Sequence, residues 1–326
     1  MPQERFPMPW TLSLWAETAD PLEGVPSLEG QHNADVAIIG GGYTGLSAAH
    51  RFAEIGLKPA VLEANEVGWG ASGRNGGVVS TKFRVFLPSV AKSHGLSVAR
   101  RMYELGHEAV DRVGDLVDEF QIETAGFSLT GNLRCAHNTD SLRALSAEAE
   151  TMRGQFGDLS IRVLGPGELA EETGSKGFIG RVLTSHAGVI HPLNFARGVA
   201  RGLRRRGVDL FERSAALAIR RAGDGVLIDT ARGSVRARRA FLATNACSDL
   251  APATSQIRKT LIPFRSAMIA TEPLTPALDR TVLPTLRSYS ETRRMMRWFR
   301  RVVFIRICGK LHHLWRAVDQ DGVVLG

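Results

Sequence analysis

Three glycines, Gly40, Gly42 and Gly45, stand in a G-x-G-x-x-G pattern directly after the apolar run 36–39, and an acid, Glu63, follows eighteen residues after the last of them. Residues of these types in this order suit the binding of a dinucleotide. The first glycine permits a tight turn, the second lets backbone approach a pyrophosphate, and the third lets a helix pack on a strand. The helix that follows aims unpaired N–H groups and a partial positive charge at the phosphates. Glu63 is placed to accept hydrogen bonds from a ribose. A second glycine-rich stretch, 68–77, reads Gly-Trp-Gly-Ala-Ser-Gly-Arg-Asn-Gly-Gly, and its glycines let backbone run close to something flat or charged. Glycine spacing alone also fits a plain structural βαβ turn. Strand, helix, second strand and acid together point to a dinucleotide site.

The elements that must position these residues follow from pattern. Residues 36–39 read as a buried parallel strand, 46–55 as the helix, Gly56 as its stop and 59–62 as the second strand. Residues 1–33 read as an arm in which Trp10 and Trp15 are packing anchors. A helix is expected over 94–120, with Met102, Leu105, Ala109, Val113, Leu116, Val117 and Phe120 on its core face. Two strands around Gly131-Asn132 are expected in 127–136, then a helix over 141–156 opened by a Ser cap and a short helix over 168–173. His107 and His137 look isolated, which suits surface or capping roles. Pro192 opens a helix through Arg206, stopped by Gly207, with Arg204, Arg205 and Arg206 complementing its C-terminus. Strands at 208–211, 217–219 and 240–244, with a hairpin over 226–236, return the chain to βαβ architecture, so the dinucleotide domain is discontinuous. Residues 262–271 read as a further strand. Beyond Arg293 neither the helical nor the strand period persists.

Composition sets bounds. A chain of 326 residues, 44% hydrophobic and 23% charged, buries a large core and is ordinary globular material, not disordered. The net charge of +8 is unevenly placed: residues 293–326 carry +6 and leave +2 for residues 1–292. The body therefore lacks the basic face that nucleic acid requires, and no nucleic-acid partner is expected. Apolar runs are broken well short of a bilayer span and the N-terminus lacks a signal-peptide layout, so no membrane association and a cytoplasmic address are expected. Cys135, Cys247 and Cys308 share no metal-like spacing, which argues for reduced thiols and no metal.

The string Ile-Gly-Gly-Gly-Tyr-Thr-Gly-Leu-Ser-Ala-Ala at 39–49, paired with Gly-Ala-Ser-Gly-Arg-Asn-Gly-Gly at 70–77 behind a tryptophan-containing arm, resembles the FAD-dependent amine and amino-acid oxidase superfamily. That superfamily is typified by D-amino-acid oxidase, glycine oxidase and sarcosine oxidase, and the pairing is most similar to the γ-glutamylputrescine oxidase group. Gly188-Val189-Ile190-His191-Pro192 and Ala243-Thr244-Asn245-Ala246 resemble its later strand-to-helix entry and FAD-domain strand. The resemblance implies an α/β fold: a discontinuous, Rossmann-like FAD-binding domain over 34–90 and 188–250, and an α+β substrate domain, incomplete here, over 91–187 and 251–300.

By the same resemblance, Gly40, Gly42, Tyr43, Thr44 and Gly45 form the pyrophosphate turn, and Glu63 with Ala64 the ribose contact. Gly70, Ala71, Ser72, Arg74, Asn75, Gly76 and Gly77 run beside the pyrophosphate and isoalloxazine, Ala216 lies near adenine, and Ala243 and Thr244 close over the dinucleotide. FAD is expected to be noncovalent, because no histidine or cysteine matches a flavin attachment point. The implied reaction oxidises a C–N bond of a small amine or amino acid by hydride transfer to flavin N5, giving an imine that hydrolyses to a carbonyl. No catalytic acid or base is named, since the cofactor performs the hard step. From Arg301 the family pattern is lost, so residues 301–326 are expected to be an aberrant basic tail after a frameshift or truncation. Competing readings are a noncatalytic FAD-binding remnant and a nicotinamide-dependent dehydrogenase, the latter opposed by the 70–77 box.

Overall fold

The computed structural model describes residues 7–10, 13–83, 85–165, 168, 172–175, 177–249, 252–262, 268–271, 274–293, 298–307 and 310–316. Two compact units interleave along the chain: residues 1–75, 120–125 and 191–264 form the first, and 76–119, 126–190 and 265–326 the second.

The first unit is built on a six-stranded sheet in the order Asp209–Phe211, Pro59–Leu62, Gly30–Ile39, Gly233–Leu242, Gly225–Asp229, Ala218–Ala222. The first four run parallel and the last two join as antiparallel ribbons. Val36, Ala37, Ile38 and Ile39 are all buried, as are all four residues of Pro59–Leu62, which is what a sheet covered on both faces demands. The central strand starts earlier than its apolar run. Residues 30–33 belong to it rather than to the arm, because Gly30 through Asn33 pair in register with Gly233 through Arg236. Backbone pairing extends the strand where side-chain pattern is silent. The hairpin read over 226–236 forms as Gly225–Asp229 and Gly233–Leu242, and its second strand runs on into the strand read separately at 240–244.

Helix Pro192–Arg205 carries a wide buried face, and His191 caps it by accepting from Asn194 N at 3.1 Å on Nδ1. A Cβ on Gly198 would lie 2.2 Å from Ile122 Cγ2, and one on Gly202 would lie 2.1 Å from Phe120 Cδ1. These two glycines are notches that seat residues 120–125. The three terminal arginines do more than complement the helix dipole. Arg204 donates to the carbonyls of Glu23 and Gly24, Arg205 to that of Phe120 at 3.1 Å, and Arg206 stacks over the Phe120 ring at 4.6 Å. The arm is pinned by this helix. Its own short helix, Leu14–Thr18, is capped by Ser13, and Trp15 is fully buried with Nε1 donating to Asn75 O at 2.9 Å.

The second unit holds a seven-stranded sheet in the order Ile269–Thr271, Lys310–Arg316, Trp298–Ile307, Ser288–Glu291, Asn132–Ala136, Gly180–Thr184, Ile161–Leu164, and a two-stranded sheet of Val78–Ser80 with Ala187–Val189. On one face of the large sheet Leu133, Cys135, Leu183 and Tyr289 form a core, and on the other helix Thr139–Phe156 packs Leu145 and Ala149 against Ala136, Ile161 and Val182.

Five expectations are corrected here. Residues 127–136 contain one strand, Asn132–Ala136, because Gly131 at φ +86° breaks the run and Ser128 makes only an isolated bridge to Val189. The helix cap is Asn138, whose side chain accepts from Ser141 N; Ser141 itself lies in the first turn. In helix Leu96–Phe120 the buried positions include Ala99, Gly106 and Val110, whereas Leu105 and Ala109 are exposed: Gly106 lies so close to Thr81 that this side of the helix faces inward. His107 is not isolated, for it stacks on His186 at 4.8 Å and on Tyr103 at 4.4 Å. Beyond Arg293, Trp298–Ile307 and Lys310–Arg316 are antiparallel strands whose register shifts between Arg301 and Arg306, and that irregularity hides the period. Residues 169–171 of the helix expected at 168–173, and 263–267 within the strand expected at 262–271, lie outside the described residues; Ile269–Thr271 is the part seen as strand.

Candidate cofactor site

The turn between the central strand and helix Tyr43–Glu54 is the structural origin of the site. Gly40 takes φ +115°, and a Cβ there would meet Ala243 O at 2.6 Å, so the neighbouring strand end closes directly on it. A Cβ on Gly45 would lie 1.9 Å from Gly40 O, which is the contact between helix and strand that only glycine permits. Gly42 sits under Ser72, whose hydroxyl oxygen accepts from Tyr43 N at 3.0 Å and ties the second glycine-rich stretch to the helix N-terminus. The N–H groups of Thr44 and Gly45 in the first turn have no intrahelical acceptor, which leaves donors for an anion.

Glu63 ends the second strand with its carboxylate facing this turn. Oε2 accepts from Gly41 N at 2.7 Å and Oε1 from Asn65 N at 2.9 Å. Burial pushes the Glu63 carboxyl above the usual carboxylate range, against the downward pull of the Asn65 and Gly41 N–H groups, and Glu212 adds to the rise. Each carboxylate oxygen keeps a second lone pair that can accept from a hydroxyl.

A cavity of about 210 Å³ lies over this turn. It is lined by the expected residues Gly40, Gly42, Tyr43, Thr44, Glu63, Ala64, Gly70, Ala71, Ser72, Ala216, Ala243 and Thr244. This is below the ~300–1,000 Å³ of pockets for drug-sized ligands, which is room for one stretch of a dinucleotide and not for the whole. Gly45 supports the turn from beneath. Asn75 braces the second stretch from within, its Nδ2 donating to Ser72 O at 2.8 Å and Ala71 O at 3.1 Å. Arg74 does not line the cavity; its guanidinium lies over Trp69 at 4.2 Å and Trp10 at 5.4 Å, and Nε and Nη2 have no hydrogen-bond partner among the described residues. Burial there pulls the guanidinium below its ordinary value. Gly76 and Gly77 belong to the second unit, where Gly77 O accepts from Ile190 N at 2.8 Å and from Arg300 Nη1 at 2.9 Å. Sequence reasoning missed Asn65, Trp69, Asn245, Ala246 and Cys247 in the lining. Trp69, Asn245 and Ala246 lie inside recognised stretches, and Asn65 and Cys247 lie one or two positions beyond them, and that placement was the available signal.

A family model described as "DAO: FAD dependent oxidoreductase" matches residues 35–320. The chain belongs to this family. Its match runs across both units and continues past Arg301. The chain is 30% identical over 315 residues to gamma-glutamylputrescine oxidoreductase of Escherichia coli (strain K12), covering 96% of this chain and 72% of that protein. It is 32% identical over 289 residues to the probable oxidoreductase OrdL of Rhizobium meliloti (strain 1021), covering 88% of this chain and 66% of that one. Among solved structures, glycine oxidase from Geobacillus kaustophilus superposes with a TM-score of 0.67 at 19% identity, over 90% of this chain and 73% of that chain. L-amino acid deaminase from Proteus myxofaciens gives 0.68 at 18% identity, over 92% and 61%. These two share the fold.

FAD is the cofactor of this DAO-family chain, and its residues fit that group. The tight glycine cradle that side chains would fill, the first-turn donors and a carboxylate facing the turn form the kind of donor and acceptor set that a dinucleotide requires. No helix among the described residues is long and apolar enough to cross a membrane.

Proposed function

We propose that the protein oxidises the C–N bond of a small amine or amino acid, giving an imine that hydrolyses to a carbonyl. The observation that carries this reading is the glycine-lined cavity, closed by Ala243 and Thr244 and faced by Glu63, in a chain that matches the DAO family from 35 to 320. The names of its relatives, a gamma-glutamylputrescine oxidoreductase and a glycine oxidase, support the substrate class. When bound, FAD supplies the two-electron acceptor for the hydride that leaves the amine-bearing carbon. The chain's residues bind and orient. First-turn N–H groups hold the pyrophosphate, Glu63 accepts the ribose hydroxyls, and Ala216, Ala243 and Thr244 wall the nucleotide. Ser72 and Asn75 keep the second stretch against the helix N-terminus. Arg74, over the Trp69 and Trp10 indoles, keeps a positive charge beside that stretch.

Purified protein tests the proposal. A yellow preparation with flavin absorbance, bleached anaerobically by primary or secondary amines or by amino acids, is the expected result. Colour that no amine bleaches would leave cofactor binding intact and refute turnover. A colourless protein that takes up NADH and not FAD would refute the site assignment.

A further inference from the structure

A second cavity, of about 390 Å³, lies wholly within the second unit. Its titratable lining is Lys82, Tyr103, Arg134, Glu148 and Asp158, with hydroxyls from Ser80, Thr81, Thr184 and Ser290, and Trp298, Phe86 and Met152 give it an apolar side. Lys82 is set there by backbone packing. After strand Val78–Ser80 the chain lies against helix Leu96–Phe120, where a Cβ on Gly106 would come 2.5 Å from Thr81 O.

The partners around Lys82 are largely engaged with one another. Both Glu148 oxygens accept from Arg134 Nη1 at 2.7 Å. Asp158 Oδ1 accepts from Ser160 N at 2.9 Å and Ser160 Oγ at 2.6 Å, and the carboxylate also takes the Tyr103 hydroxyl. Lys82 Nζ is left with one long hydrogen bond, 3.4 Å to Asn132 Oδ1, and no ion pair among the described residues. A lysine serving only as a structural cation would be expected to sit on a carboxylate. Lys82 as a residue is exposed, and its amine reaches inward from the cavity to the fully buried Asn132.

We propose that this cavity is a carbonyl-capture site in which the Lys82 amine condenses with a small aldehyde bearing an apolar or aromatic arm. The Nζ lone pair forms the new bond to the carbonyl carbon, the C=O pair moves to oxygen, and the two amine hydrogens leave with that oxygen as water. The C=N bond remains and no electrons are exchanged, so no oxidant is needed. Burial pulls the amine down to about 7; Arg134 adds to the fall, and Glu148 and Asp158 oppose it. At pH 7 the neutral fraction of such an amine is on the order of a thousandfold above that of a lysine near 10.4. Tyr103, raised to about 12, stays protonated across the neutral range. The site stands on the second unit alone and does not depend on the flavin reading.

Benzaldehyde with cyanoborohydride at pH 7, followed by peptide mapping of the full chain, tests the proposal. The chain has six lysines. Lys82 is expected to be labelled roughly tenfold or more faster than any other, the thousandfold gain in neutral fraction being offset by the lower nucleophilicity of a weaker base. Its labelling rate should rise through a midpoint near pH 7. Lys82→Arg should lose this fast adduct. Labelling spread evenly over the lysines, or a Lys82 midpoint above pH 9, overturns the proposal in the unmodified protein even where the variant does not fold. Formaldehyde reacting with the same preference for Lys82 as benzaldehyde would overturn the role of the apolar wall.

Discussion

Replacing Gly45 by alanine is the sharpest probe of the cofactor turn. The added Cβ would stand 1.9 Å from Gly40 O and 3.3 Å from Ile38 Cγ2, and the first of these is backbone that cannot rotate away. Reaching an ordinary contact requires the helix start and the turn to separate by about 1.5 Å, an overpacking whose cost is typically ~1–3 kcal/mol. Alanine's better helix propensity returns at most ~1 kcal/mol, so the clash wins and stability falls. Cofactor affinity suffers separately. A hydrogen bond to a charged group contributes ~1.5–3 kcal/mol, and a displacement of this size removes at least one between the first-turn N–H groups and the pyrophosphate. The dissociation constant for FAD should therefore rise about 10- to 150-fold. Fluorescence titration of apoprotein with FAD, alongside thermal denaturation, measures both. A Gly45→Ala protein with unchanged FAD affinity and unchanged melting would refute the assignment of this turn to the pyrophosphate.

Three further outcomes follow from positions outside the turn. Gly154, exposed in helix Thr139–Phe156 with nothing within 4 Å of an added Cβ, should accept alanine with a gain of ~0.5–1 kcal/mol in urea unfolding and no change in FAD affinity. Trp15→Ala should cost ~3–5 kcal/mol, because a fully buried indole and the Nε1 donor to Asn75 O are both removed; a loss under ~1 kcal/mol in denaturant titration would show the arm to be ornamental. His107 is held below its ordinary value chiefly by burial, with the stacked His186 acting in the same direction and Asp158 and Asp111 opposing. The folded state thus binds fewer protons than the unfolded one, so its contribution to stability is full above pH 6.5 and declines as pH falls toward the lowered value. Urea midpoints between pH 7.5 and 5 should fall less steeply in His107→Phe than in the parent.

The glycine turn and Glu63 were legible because their demands are local. A φ of +115° at Gly40, a Cβ-free approach at Gly45 and an acid at the end of the next strand all lie within one βαβ stretch. The polar start of the central strand was not legible, since residues 30–33 are held by pairing to a partner far along the chain. The same holds for Gly198 and Gly202, whose meaning lies in Ile122 and Phe120, and for His107, whose neighbour His186 comes from another strand-to-strand connection. Lys82 carries no motif at all. Its character comes from Arg134 and Glu148 being satisfied by each other, a relation between a strand and a helix that no local pattern records.

The pairing of Gly30–Ile39 with Gly233–Leu242 has a consequence for biosynthesis. The strand at the centre of the first sheet meets one of its two neighbours only after about 200 further residues have been made, which at ~5–20 residues per second takes roughly 10–40 s. During that interval one edge of an apolar parallel strand stands open on the nascent chain, a template for wrong pairing. Slowed translation ahead of residue 233 would lengthen the exposure, whereas a chaperone that masks open strand edges would shorten it, so the yield of folded protein should depend on translation rate more than its final stability does.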